Sequence, residues 1–189
     1  MALQDMREFL AVLEQQGLLR RVGVDVDPEL DVGCMVKWMF QALPESDRFG
    51  LLFERVNGSN MKMATGALGA STRAYALALG VEPSEINEKW MDALCNPIPQ
   101  RHVDEGLCQE VVSEGDDIDL AQLPIPVWTP GKDAGRYITT TVVTRHAETG
   151  IQNYGVYRTL VLGGDRMVSN LSPGRQGYRY VMSHHELGQ

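Results

Sequence analysis

From Thr139 to Leu171 the chain is cut into short β-prone runs by turn-forming residues, and this punctuation restricts the fold more than any other feature. Thr139 to Thr144 (TTTVVT) is rich in β-branched side chains, which fit a pleated, half-buried surface. AETG at Ala147 to Gly150 supplies turn chemistry before a second extended run, Ile151 to Leu162, so a β-hairpin is predicted. Gly163-Gly164-Asp165 suits a tight turn, because glycine accepts positive φ at little cost, and Met167 to Leu171 then reads as a third strand. Together these runs predict an antiparallel meander.

Within the second run, IQNYGVYR (Ile151 to Arg158) concentrates polar groups that a core strand does not need. Strict alternation puts Asn153, Gly155 and Tyr157 on one face and Tyr154, Val156 and Arg158 on the other. For Asn153 and Arg158 to meet one ligand the strand must be irregular, and a bulge is predicted at Gly155, where a strand glycine permits one. With the loop SPGRQG (Ser172 to Gly177), this stretch reads as the floor and rim of a cofactor site. On residue types alone the plainer reading is a surface arginine on an edge strand, a turn-proximal asparagine and an exposed loop.

The N-terminal part carries a different pattern. Leu3, Met6, Phe9, Leu10 and Leu13 fall at helical spacing and Gly17 follows, predicting an amphipathic helix over 3–16 with its apolar stripe in the core. Leu18 to Val26 reads as a strand. Asp31 to Leu43 reads as a helix with Met35, Trp38, Met39 and Phe40 on or near its buried side. GLLFERV (Gly50 to Val56) and MKMATGAL (Met61 to Leu68) bracket the turn signal Asn57-Gly58. Ser71 to Leu79 reads as a capped helix closed by Gly80, and Pro83 to Leu94 as another, ended before Pro97 and Pro99. Cys108 to Glu114 reads as a strand. A proline- and glycine-rich segment, LPIPVWTPGKDAGRY, then marks a change of character, with a domain boundary predicted near residue 115.

Other candidate sites carry less. Glu114, Asp116, Asp117 and Asp119 lack the spacing and glycine of a calcium-binding loop and read as a solvated turn with a helix N-cap. His184 and His185, adjacent on a helix begun near Tyr178, project about 100° apart and cannot share a metal, so they read as exposed. His102 and His146 stand alone in loops. The three cysteines, Cys34, Cys95 and Cys108, form neither a disulfide framework nor a zinc pattern, which fits a reducing cytoplasm. A net charge of -8 disfavours nucleic acid and anionic membranes as partners. No stretch reads as a signal peptide or a membrane span, and no serine or cysteine nucleophile signature supports a hydrolase.

The succession CQEVVSEGDDIDLAQLPIPVWTPGKDAGRYITTTVVTRHAETGIQNYGVYR, followed by SPGRQG, resembles the UbiD-like decarboxylases, which use prenylated flavin mononucleotide. LQDMREFLAVLEQQGLLRRV and GLLFERVNGSNMKMATGALG look like the N-terminal region of that family. The most specific parts are LPIP, DAG followed by YIT, and the Asn153 to Arg158 motif, in that order and spacing.

The resemblance implies an α+β protein: an N-terminal α/β domain (1–114), then the first part of an FMN-binding split β-barrel (115–189), incomplete at its C-terminus. It implies that Asn153 ligates a divalent cation, usually manganese, with potassium as a further ion, which ties the cofactor phosphate to the protein. A hard cation prefers oxygen ligands, and an amide oxygen adds no charge against a phosphate. Val156, Tyr157 and Arg158 match the cofactor-contacting run, with Arg158 beside the reactive flavin as the catalytic arginine. Asn170, Leu171 and Ser172 match the next cofactor-contacting strand, and Arg175 and Gln176 the phosphate-side loop. Some relatives carry a metal-binding histidine where Gln176 falls, a departure from the family pattern; a glutamine can offer a carbonyl oxygen to a hard ion, and on the resemblance Gln176 is the second candidate ligand.

The family chemistry implied is reversible non-oxidative decarboxylation of an aromatic or α,β-unsaturated carboxylic acid. The cofactor comes from a flavin prenyltransferase, and the full-length enzyme is a homo-oligomer. The family's metal-binding glutamate and its catalytic carboxylates lie beyond the match, so this portion is expected to be inactive alone. The alternative is a non-catalytic flavin-binding module completed by a partner chain.

Overall fold

A computed structural model describes residues 3, 5–99, 101 and 103–188. His102 lies outside the described residues.

Helix α1 (Met6–Gln15) starts where Asp5 accepts a hydrogen bond from the Glu8 amide at 2.9 Å and ends before Gly17 at φ 71°. Strand β1 (Leu19–Val26), helix α2 (Asp31–Ala42) and strand β2 (Gly50–Val56) form a β-α-β crossover, with β1 and β2 parallel. Strand β3 (Met63–Thr65) returns antiparallel to β2 beyond the Asn57-Gly58 turn, giving the sheet order β1-β2-β3. Helix α3 (Thr72–Leu79) is capped by Ser71, whose hydroxyl accepts from the Ala74 amide at 3.2 Å, and is closed by Gly80. Helix α4 (Ile86–Cys95) follows a short turn at Pro83–Glu85.

The sheet is covered on both faces. Leu52 packs with Phe9, Leu13, Leu18, Leu19, Ala67 and Ala74, which brings α1 and α3 to one side. Its neighbours Leu51 and Phe53 pack with Val26, Val32 and Val56, which brings α2 to the other. This is the period-two alternation of a strand buried on both faces. Trp38, expected near the buried side of α2, is 56% exposed, while Met39 is fully buried.

No strand forms at Cys108 to Glu114. Leu107–Gln109 is a short 3-10 turn, and the exposed residues after it are irregular, with Val111 and Val112 finding no sheet partner among the described residues. The acidic stretch forms short turns, Gly115–Asp117 and Leu120–Gln122, and Asp119 caps the second by accepting from the Ala121 amide. The connector then lies against the start of α2. The Val127 amide donates to the Pro28 carbonyl at 2.9 Å, and Arg136 pairs with Glu29 at 3.2 Å. Gly33 makes this approach possible, because a Cβ there would stand 2.6 Å from the Val127 carbonyl oxygen.

The C-terminal strands are β4 (Tyr137–Ile138), β5 (Thr141–Arg145), β6 (Gln152–Val156), β7 (Thr159–Gly163) and β8 (Arg166–Ser169). The predicted hairpin is present: β5 and β6 pair antiparallel across the turn ending at Gly150. The predicted meander is not. β6 does not pair with β7, which lies in a separate sheet of order β4-β7-β8. The run Ile151 to Leu162 is therefore two strands, broken at Tyr157-Arg158. The expected bulge at Gly155 is absent as well, since Gly155 faces Val142 in an unbroken register. The physical reason is partner choice: each half of the run completes a different sheet, and the irregularity falls between them.

Helix α5 (Gln176–Glu186) begins two residues before Tyr178 and lies against the hairpin. The Ala147 amide donates to the Ser183 hydroxyl at 3.0 Å, and the His146 ring meets Tyr180 edge-on at 5.3 Å. His184, expected to be exposed, is half-buried, with Nε2 2.9 Å from the Arg145 carbonyl oxygen, while His185 is exposed.

Candidate functional site

The break at Tyr157-Arg158 builds the site. As the chain leaves the β5-β6 hairpin and enters the β4-β7-β8 sheet, successive side chains stop alternating across one surface. Asn153, Gly155, Val156, Tyr157 and Arg158 all line one cavity of about 550 Å³. Asn170 joins them from the end of β8, where its amide donates to the Arg158 carbonyl at 3.1 Å. Ser172, Arg175 and Gln176 close the rim at the start of α5. Leu171 is not among the lining residues.

Tyr157 is the wedge that holds this arrangement. Its ring fills the space above Gly155, where a Cβ would lie within 2.6 Å of the phenol, and above Gly177, where a Cβ would collide with the hydroxyl. Both glycines are therefore explained by close approach rather than by a strand bulge. The Tyr157 hydroxyl accepts from the Gly177 amide and from Asn153 Nδ2, each at 3.2 Å. It ties β6 to the first turn of α5.

The amide groups of the two candidate metal ligands are oriented alike. Asn153 Nδ2 also donates to the Thr144 hydroxyl at 3.2 Å, and Gln176 Nε2 donates to the Tyr180 hydroxyl at 2.7 Å. The nitrogens are the ends engaged, so the carbonyl oxygens are the ends left for a hard cation. Among the described residues no group of three or more His, Cys, Asp or Glu is placed to hold a metal. At the rim, Arg175 immediately precedes the N-terminus of α5, a pairing of guanidinium and helix dipole that suits a phosphate.

Arg158 has partners that composition and spacing did not indicate. Its guanidinium donates to Asp133 Oδ1 at 2.8 Å and lies 4.3 Å from the centre of the Tyr137 ring. The Asp133 side chain is 8% exposed, and its other oxygen accepts from the Thr129 amide at 2.9 Å. The hydrogen bond from Arg158 holds the Asp133 carboxyl below the ordinary aspartate value, against the opposing effect of burial. The signal was present as DAG followed by YIT, motifs that carried the resemblance without a role attached to them.

A layered α/β unit followed by small sheets around a polar, arginine-lined cavity defines the class, a mixed α/β protein whose structure matches UbiD-class enzymes. The description "3-octaprenyl-4-hydroxybenzoate carboxy-lyase N-terminal domain" matches residues 10–94, and "3-octaprenyl-4-hydroxybenzoate carboxy-lyase Rift-related domain" matches residues 101–189. The chain belongs to the UbiD family.

Among solved structures, an evolved dimeric form of the UbiD-class enzyme HmfF from Pelotomaculum thermopropionicum, in complex with prenylated FMN, is 34% identical with a TM-score of 0.84, matching 97% of this chain and 42% of that one. The closed form of vanillic acid decarboxylase from Sedimentibacter hydroxybenzoicus is 26% identical with a TM-score of 0.86, matching 100% of this chain and 41% of that one. An uncharacterized protein of Synechocystis sp. is 32% identical over 211 aligned residues, 98% of this chain and 41% of that protein. The chain thus spans about two fifths of the length of these relatives. No helix among the described residues is long and apolar enough to cross a membrane.

Proposed function

We propose that this chain supplies the cofactor cradle of a prenylated-FMN-dependent, non-oxidative carboxy-lyase acting on an aromatic or α,β-unsaturated carboxylic acid. The observation that carries this reading is the convergence of Asn153, Arg158, Asn170, Ser172, Arg175 and Gln176 on one polar cavity, with Arg158 held at its edge by a buried carboxylate. When bound, the prenylated flavin supplies the electron sink for loss of carbon dioxide. The chain's own residues bind and orient. Arg175, Ser172 and the N-terminus of α5 hold the phosphate. The amide oxygens of Asn153 and Gln176 would hold a divalent cation, manganese, with potassium as a further ion, and would supply uncharged oxygen ligands to it. Val156, Tyr157 and Asn170 shape the cofactor's walls, Tyr157 doing so by fixing the elements that carry the others, while Leu171 lies outside the lining. Arg158, permanently charged and planar, receives the substrate carboxylate.

On this reading residues 1–114 form an α/β domain and 115–189 the first part of a split barrel. The protonating acid comes from polypeptide beyond the region matched. The enzyme is cytoplasmic, is served by a flavin prenyltransferase, and assembles as a homo-oligomer.

A second reading, a flavin-binding module completed by another chain, is favoured by the apolar surface on the hairpin, where Val143, Tyr154 and Val156 are more than half exposed. The test separates the two. The complete reading frame, co-expressed with a flavin prenyltransferase, should show the modified-flavin absorbance and release carbon dioxide from members of a panel of acids. Arg158→Ala should reduce turnover to a small residual rate. Undiminished turnover in that variant refutes the assignment of Arg158, and flavin binding without turnover of any acid until a second protein is added favours the module.

A further inference from the structure

We propose that Asp133 is a positioning residue for Arg158: together with Tyr137 it fixes the orientation of the guanidinium, so that one edge is occupied and the other is presented to the cavity. The inference rests on the reading of Arg158 as the carboxylate-binding arginine and extends it to a residue 25 positions away.

An arginine on a bend between two sheets has four freely rotating side-chain bonds, and half of the Arg158 side chain is exposed. Left alone, it would sample many orientations. Two contacts restrict it. The Tyr137 ring, 4.3 Å from the guanidinium carbon, confines the plane, and Asp133 Oδ1, 2.8 Å from a terminal nitrogen, sets the rotation within that plane. Asp133 is itself held. Its Oδ2 accepts from the Thr129 amide, and its own amide donates to the Thr129 carbonyl, each at 2.9 Å. Tyr137 is anchored in turn, because Trp128 Nε1 donates to its carbonyl at 2.9 Å.

A nearly buried carboxylate with both oxygens engaged is a fixed reference point, whereas an exposed ion pair would not be. A guanidinium has five N–H donors, so the pair with Asp133 leaves donors for an incoming carboxylate. The segment Trp128 to Tyr137, read from sequence as a connector, therefore sets the pose of the side chain on which substrate binding depends.

The test uses the complete reading frame loaded with prenylated FMN, in wild type, Asp133→Asn, Asp133→Glu, Arg158→Ala and Asp133→Asn/Arg158→Ala. Asn removes the charge and sets an N–H₂ group against either Arg158 or the Thr129 amide, while Glu keeps the charge but displaces it by a methylene. Asp133→Asn is expected to lower kcat/KM by about 100-fold, the loss typical of a reacting group misplaced by ~1 Å. Asp133→Glu should fall between it and wild type. FMN affinity, read by fluorescence quenching, should stay within about threefold in both, since Asp133 does not line the cavity and acts through Arg158. Asp133→Asn should also add little to the loss caused by Arg158→Ala, because the two act as a unit.

Three results overturn the proposal while leaving the role of Arg158 intact. They are undiminished kcat/KM in Asp133→Asn beside an inactive Arg158→Ala, an Asp133→Asn loss that adds in full to that of Arg158→Ala at residual activity, and failure of both Asp133 variants to fold or to bind FMN, which assigns the residue to the scaffold. Undiminished activity in Arg158→Ala instead overturns the underlying reading and the proposal with it.

Discussion

Replacing Gly33 with alanine should destabilise the chain, although the same exchange in a free helix stabilises it. The new methyl would stand 2.6 Å from the Val127 carbonyl oxygen, 2.8 Å from that of Trp128 and 3.1 Å from the Trp128 carbonyl carbon. All three atoms are backbone, so no rotamer change relieves the contact. Ordinary carbon-oxygen separations begin near ~3.3 Å, so the Val127-Trp128 segment must retreat by roughly 0.7 Å. It is pinned at Val127 N to the Pro28 carbonyl and through Trp128 Nε1 to the Tyr137 carbonyl, each at 2.9 Å. Overpacking of this kind costs about 1–3 kcal/mol, and the loss of one such hydrogen bond adds about 1 kcal/mol. The higher helix propensity of alanine returns about 1 kcal/mol. The net loss is about 1–3 kcal/mol, which for a chain of this size lowers Tm by roughly 2–12 °C. Thermal and urea unfolding measure it, with Gly69→Ala as control, since a Cβ at Gly69 meets nothing within 4 Å. Because Trp128 to Tyr137 also carries the partners of Arg158, carboxylate turnover in the complete reading frame should fall with it. A Gly33→Ala protein that melts at or above the wild-type temperature would show that the connector is not docked on α2 as described.

Tyr157→Phe removes the acceptor shared by Asn153 Nδ2 and the Gly177 amide, and should cost about 1–3 kcal/mol in urea unfolding and weaken FMN binding, whereas an unchanged midpoint would deny Tyr157 its bridging role. Thr65→Val should leave stability unchanged or raise it by up to ~1 kcal/mol, because the buried Thr65 hydroxyl has no hydrogen-bond partner among the described residues; a lower urea midpoint would reveal a partner. The pH dependence follows from Asp133, whose folded-state pKa lies below the ordinary 3.8, chiefly through the hydrogen bond from Arg158. The unfolded chain then takes up the proton first, so the stabilisation is complete well above the ordinary value and is lost as pH falls through the folded one. Unfolding curves of wild type and Asp133→Asn should therefore converge on acidification below about pH 4, and a difference that grows there would contradict the sign.

Several elements were legible from local pattern because their causes are local. Ser71 and Gly80 bound α3, Asn57-Gly58 turns β2 toward β3, and the Ala147 to Gly150 turn closes the β5-β6 hairpin. Each depends on a side chain and a backbone conformation a few residues apart. The strand expected at Cys108 to Glu114 failed for the opposite reason: β-prone residues form a strand only against a partner edge, and none reaches Val111 or Val112 among the described residues.

Residue order alone showed that polar groups gather near Asn153 to Arg158 and Ser172 to Gln176, while the family resemblance picked out the individual cofactor residues, of which all but Leu171 line the cavity. It also required an irregularity, since alternation sends Asn153 and Arg158 to opposite faces. Where that irregularity lies was settled only in three dimensions. Alternation describes a strand against its own sheet, and no sequence period records that β6 and β7 join different ones. Nor does it record that Asp133 and Tyr137, brought in by a connector docked against α2 at Gly33, hold the arginine. Such contacts depend on the packing of distant elements, where the energy is shared among many side chains and is encoded in none of them singly.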